Sequence, residues 1–150
     1  MKNLYEPTRA VEVKTRLAQL QAESPRHWGK MNAPQAVAHC SAAMKWALGE
    51  SHPPRLFIGR ILGHFIKPFV FRDDEPIRRN SPTSPDLVIA DQCDLIQQRE
   101  RLYSQIDRFV AGGQAVCTRS PHPFFGHLTP EEWAVLMYKH LDHHLRQFGA

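Results

Sequence analysis

Apolar positions recur at a helical period through most of the chain. Between residues 7 and 22, Ala10, Val13, Leu17 and Leu20 follow at spacings of three and four, while Arg9, Glu12, Lys14 and Arg16 take the other side. This predicts an amphipathic helix, ended by Ser24-Pro25. Asn32 and Pro34 are start signals for a second helix that runs to about Leu48, where Gly49 stops it. Its face is mostly alanine: Ala36, Ala38, Ala42, Ala43 and Ala47. After Pro53-Pro54 comes an oily segment, 55–71, read as one helix or two short turns. Arg60, His64 and Lys67 form a cationic stripe on it, expected to lie in water while the apolar residues serve the core, with a membrane-surface helix as the lesser alternative. Residues 72–85, RDDEPIRRNSPTSP, have the composition of a loop. Leu95, Leu102, Ile106 and Phe109 mark a helix over 92–111, closed by Gly112-Gly113. A second loop, 113–128, precedes Thr129-Pro130-Glu131-Glu132, the cap and first turn of a last helix reaching Gln147.

No segment alternates like a strand and no internal repeat is present. The pattern therefore predicts an all-α fold: a four-helix bundle with one extra helix between the second and third principal helices, in a single domain over 1–150. The two irregular connections are long for a bundle, which suggests that they shape a site.

Composition narrows the class. With 42% apolar and 23% charged residues, the chain is neither disordered nor low in complexity. Cys40, Cys93 and Cys117 are odd in number and form no CxxC pair, so a reducing cytoplasm is the expected compartment. The first residues lack the apolar run of a signal peptide, and the oily segment is too short and too charged to span a bilayer. No membrane partner is expected. The net charge of +4 raises nucleic acid as a partner, but the charges are spread over several helices and no helix-turn-helix or aromatic-basic alternation accompanies them.

The nine histidines are more informative than the charge. At about 100° per residue, His140 and His144 project from one face of the last helix, one turn apart. Trp133 and Met137 share that face, so it looks inward. The intervening Leu-Asp-His supplies no glutamate base, which excludes an HExxH protease site. A third ligand must come from another helix, and His39, on the alanine-rich face of the second, is the obvious donor. His143 lies at the edge of the stripe. Three neutral imidazoles with one position left open describe a catalytic metal site rather than a structural one. An all-nitrogen set suits zinc, nickel, copper or iron better than magnesium or calcium.

The other chemistry-bearing residues have plainer readings. Arg78, Arg79 and Arg119 sit in loops and could frame the mouth of the site for a carboxylate or phosphate, although solvated loop charge explains them as simply. Cys40 adjoins His39 but points about 100° away, as a small buried thiol. Trp28, Trp46 and Trp133 are expected in the core, Phe124-Phe125 against the bundle, and His52, His64, His122 and His127 in loops or at the surface.

Several segments taken together resemble the DinB/YfiT-like superfamily of candidate metalloenzymes, within it a branch of unknown function. They are Trp28-Gly-Lys-Met-Asn, His39-Cys-Ser, Arg79-Asn-Ser-Pro, His122-Pro-Phe-Phe-Gly and Lys139-His-Leu-Asp-His-His-Leu-Arg-Gln, and they span nearly the whole chain. The superfamily signature is a mid-helix histidine followed by H-x3-H on the last helix, often continuing as H-H-R-G-Q. His39, His140 and His144 fall on its three ligand positions and Gln147 on its final glutamine, while Leu145 and Arg146 depart from the arginine-glycine pair. The resemblance implies a four-helix bundle holding a divalent metal ion, nickel or zinc, with thiol-dependent S-transferases and isomerases among its members. The function expected is thus a metal-dependent enzyme acting on a small molecule, with a low-molecular-weight thiol as co-substrate. Metal-assisted hydrolysis is the next expectation. A non-catalytic metal-binding bundle is the main rival, nucleic-acid binding the last, and a homodimer is a fair expectation for such bundles.

Overall fold

The computed structural model describes residues 1–150 as five α-helices with no strand: α1 (Pro7–Gln19), α2 (Ala33–Ala47), α3 (Phe57–Val70), α4 (Leu95–Gly112) and α5 (Pro130–Gln147). Two short 3-10 turns, Pro85–Leu87 and Gly113–Ala115, lie in the connections. Local signals account for the helix starts. Asn32 and Gln35 form a reciprocal capping box at the head of α2, and Thr129 and Glu132 form another at the head of α5. Each satisfies amide groups that a bare helix end would leave unpaired.

Two boundaries differ from the periodic pattern. Helix α1 ends at Gln19 rather than 22, because Leu20 turns to an extended conformation and its carbonyl accepts from Arg99 of α4. Helix α4 starts at Leu95 rather than 92, where the Asp94 side chain accepts from the Gln97 amide at 2.7 Å and caps the first turn.

Four helices enclose the core. Helix α2 packs against α4 and α5, and α1 lies across the same two. Leu102, Ile106 and Phe109 of α4 meet Met44 and Ala47 of α2 and Trp133 and Leu141 of α5 in one continuous apolar cluster. Burying a leucine or phenylalanine of this kind contributes about 1.5–3 kcal/mol each. Polar groups between helices are paired: Ser41 donates to the Gln105 side chain at 2.8 Å, and Gln105 returns a bond to the Ser41 carbonyl at 3.2 Å. Asp142 of α5 accepts from Arg16 of α1 and from Arg146, both at 2.7 Å.

Helix α3 lies outside this arrangement. It is one continuous helix; Arg60 and His64 of its cationic stripe face water while Lys67 pairs with Glu132, but its apolar residues are not in the core. Phe57, Ile58, Phe65 and Phe69 are 78, 55, 62 and 64% exposed, and Ile61, Leu62 and Ile66 are exposed as well. Only Gly59 and Gly63 are buried. They let α3 lie directly on the backbone of the 122–126 turn, where a Cβ on Gly59 would come within 2.6 Å of the Phe124 Cα. The apolar side chains, which the sequence pattern assigns to the core, point the other way. No helix is long and apolar enough to cross a membrane.

Candidate metal centre

Three histidines converge where α2 faces α5. His39, near the middle of α2, is 2% exposed; His140 and His144, one turn apart on α5, are partly open to solvent. One ring nitrogen from each lies within 4.8 Å of the others, and no carboxylate or thiol joins the group. The ring centroids form a near-equilateral triangle of 4.7–4.8 Å. The three ligand positions read from the helical periods are thus brought together.

The outer nitrogens decide which atoms face inward. His39 Nδ1 lies 2.8 Å from the Leu87 carbonyl, which can only accept, so Nδ1 carries the proton and Nε2 presents a lone pair. His144 Nδ1 donates to the Gln147 side-chain oxygen at 2.9 Å, while the Gln147 amide donates to the Trp28 carbonyl at 2.7 Å. That second bond fixes which end of the amide meets the imidazole. Gly29 makes the approach possible: its φ is +77°, and a Cβ there would stand 2.5 Å from the Gln147 amide nitrogen.

The inner nitrogens of His39 and His140 face each other at 2.9 Å. Two lone pairs at that distance repel, so either a proton or a cation must lie between them. A tetrahedral ion about 2.0–2.1 Å from each nitrogen holds its ligands roughly 3.3 Å apart, a value between the 2.9 Å of the His39–His140 pair and the 4.8 Å within which all three lie. Histidine ligands usually donate their second nitrogen to a carbonyl or carboxylate, as His39 and His144 do here. The donor set therefore fits a metal ion.

The electrostatics agree with neutral ligands. Burial pushes the pKa of His39 down, against the Leu87 bond, which favours the charged form. Burial and then the neighbouring imidazoles hold His140 well below the ordinary histidine value. His144 is pushed down to about 3, first by burial and next by His39. None of the three competes with a metal by binding protons near neutrality.

The family model described as a protein of unknown function, DUF1569, matches residues 6–150. The chain belongs to the DUF1569 family. No curated protein and no solved structure matches it.

Around the cluster of this DUF1569 chain the pocket residues separate. Gln147 is a direct partner of His144. His143 is not a fourth member of the cluster: its Nδ1 donates to the Ile77 carbonyl at 3.1 Å, and its ring meets Trp28 edge-on at 5.6 Å between centroids. The Arg79 guanidinium lies 4.3 Å above the Trp28 ring, so loop 77–79 is drawn over the site. Arg78 and Arg119 are exposed, and the side chain of neither makes a hydrogen bond or ion pair within the chain. Trp28 is half-buried at this edge rather than in the core, whereas Trp46 and Trp133 are core residues as expected. Cys40 is a buried thiol whose pKa burial pushes up.

His122 corrects the sequence reading. It is not a surface residue: its ring lies among Trp46, Phe125 and Trp133, with centroids 4.9–5.7 Å away. Its Nδ1 accepts from the Phe124 and Phe125 amides at 3.1 and 3.2 Å, so the ring is neutral with its proton on Nε2. Burial, then Arg55, pushes its pKa down to about 3. The signal for it was the His-Pro-Phe-Phe-Gly turn, closed by backbone bonds between His122 and Gly126. A loop composition hides that the turn packs inward.

Proposed function

We propose that this chain is a metal-dependent enzyme of the DinB-like type, in which His39, His140 and His144 hold one divalent ion, nickel or zinc. The observation that carries the proposal is the convergence of three neutral imidazoles, two oriented by outer hydrogen bonds, with no fourth protein ligand. When bound, such an ion would acidify a thiol or water at its remaining position, so that a nucleophile exists near neutral pH. The Leu87 carbonyl orients the His39 ring and Gln147 orients the His144 ring, each with its outer nitrogen bonded and its inner one free for the ion. Arg79, stacked on Trp28 beside His143, would meet an anionic substrate at the edge of the site. Transfer of a low-molecular-weight thiol to a small electrophile leads, and hydrolysis follows. Three cysteines without a disulfide suit a reducing cytoplasm.

A second reading is a metal-stabilised bundle without catalysis. It is favoured by the way the outer bonds tie ligands to loops: His39 to the 85–87 turn and His144, through Gln147, to Trp28. The two readings separate experimentally. Protein purified without chelator or a histidine tag should carry about one metal per chain by mass spectrometry, and His39→Ala should carry almost none. With cobalt as a spectroscopic substitute, an added small thiol should change the visible spectrum if a position is open. A metal content that His39→Ala leaves unchanged would overturn both readings. An unchanged spectrum would leave only the structural one.

A further inference from the structure

The face of α3 has no partner within the chain. Phe57, Ile61, Phe65 and Phe69 succeed one another at four-residue spacing, with Ile58, Leu62 and Ile66 beside them. At about 100° per residue these seven cover roughly half the circumference. The buried glycines lie outside the arc, and its most exposed members, Phe57, Phe65 and Phe69, point away from the bundle. A soluble chain rarely leaves so large a contiguous apolar patch in water.

Charge selects the occupant. From Ser51 through Arg72 there is no carboxylate, while Arg55, Arg60, Lys67 and Arg72 are cationic. His64, Arg60 and Lys67 run along one flank of the arc. An open groove of about 600 Å³ borders that flank, lined by His64, Lys67, Arg72 and His127, with Glu132 its one carboxylate. Glu132 pairs with Lys67 at 2.8 Å and Asp73 with Arg72 at 2.9 Å, which leaves Arg60 and Arg55 without an acid partner. A second copy of the chain would bring the same carboxylate-free surface. Of the three acids that follow it in sequence, Asp73 is engaged by Arg72 and Asp74 by the Lys2 backbone amide, which leaves Glu75 alone to answer four cations.

We propose that α3 docks on an anionic lipid bilayer, lying in the interface with its apolar arc toward the acyl chains and its cationic flank among the headgroups. A helix of this kind sinks its apolar face about 5–10 Å and gains from both apolar burial and anionic lipid. Fourteen residues suffice for that and do not span a membrane. The proposal is independent of the metal reading.

Flotation of the full chain with vesicles tests it. Binding is expected to vesicles of phosphatidylcholine mixed with phosphatidylglycerol, to weaken with added salt, and to be slight on phosphatidylcholine alone. Phe65→Ser with Phe69→Ser should lower the partition at least about tenfold. Both side chains are more than 60% exposed, so helix content and melting temperature should stay as in the parent chain. Arg60→Glu should weaken binding to the anionic vesicles alone. No binding to the anionic vesicles, equal binding to both kinds, or undiminished binding of the double variant overturns the proposal. So does a solution dimer that the double variant converts to monomer, since the arc would then belong to a second copy.

Discussion

Gln147 shows how one side chain can serve a site without touching its centre. Its oxygen holds His144 and its amide holds the Trp28 carbonyl, and Gly29 leaves room for both. Removing such an outer partner typically lowers metal affinity about 10–100-fold. Gln147→Leu should show that loss in a competitive metal titration, while Gln147→Glu, which still accepts from the imidazole, should retain more affinity. Equal affinity in all three proteins would mean that His144 needs no orienting bond. In the sequence the glutamine stood out only through the resemblance, as its final glutamine, with no partner assigned. Its partner Trp28 lies 119 positions away, and no local pattern reports so distant a contact.

At the scale of the helix, α2 and α5 are the elements that the site depends on, and both begin on capping boxes. Thr129→Ala removes the bond to the Glu132 amide, 3.1 Å long, and should cost about 1 kcal/mol in urea unfolding. His140 and His144 lie in the later turns of α5, so metal stoichiometry should not change; a fall in stoichiometry would show that the first turn positions the ligands. These starts were legible in Asn32-Pro34 and Thr129-Pro130 because caps are local chemistry. Helix α3 was legible only as a helix. Its period fixes which residues share a face, but not whether that face meets protein or water.

For the whole molecule, the buried histidines tie stability to pH. The folded chain keeps His122 and His144 neutral down to about 3 and holds His140 well below its ordinary value. The unfolded chain protonates them near 6.5. As pH falls below about 6.5 the unfolded state therefore binds more protons, and stability drops by up to roughly 1.4 kcal/mol per pH unit for each such histidine. His122→Phe keeps the aromatic packing but removes one of these protons. In metal-free protein, urea unfolding between about pH 5 and pH 6 should then show a slope shallower by about one proton, whatever the variant's overall stability. An unchanged slope would show that His122 is not held neutral in the fold.

What the sequence determined by itself was whatever depends on neighbours a few residues apart: the helices, the caps at Asn32 and Thr129, and the pair His140 and His144 on one face. It also offered His39 as the third member, because small residues beside an inward histidine leave room for a cavity. The tertiary structure decided the rest. It set the rotation of α2 against α5 that brings His39 Nε2 to 2.9 Å from His140, and the inward packing of the His122 turn. It also turned the apolar arc of α3 outward, because Gly59 and Gly63 let the helix lie on backbone with no side chain between. Helical periodicity ranks the faces of a helix by polarity. Which face is buried depends on what the rest of the chain can bring against it.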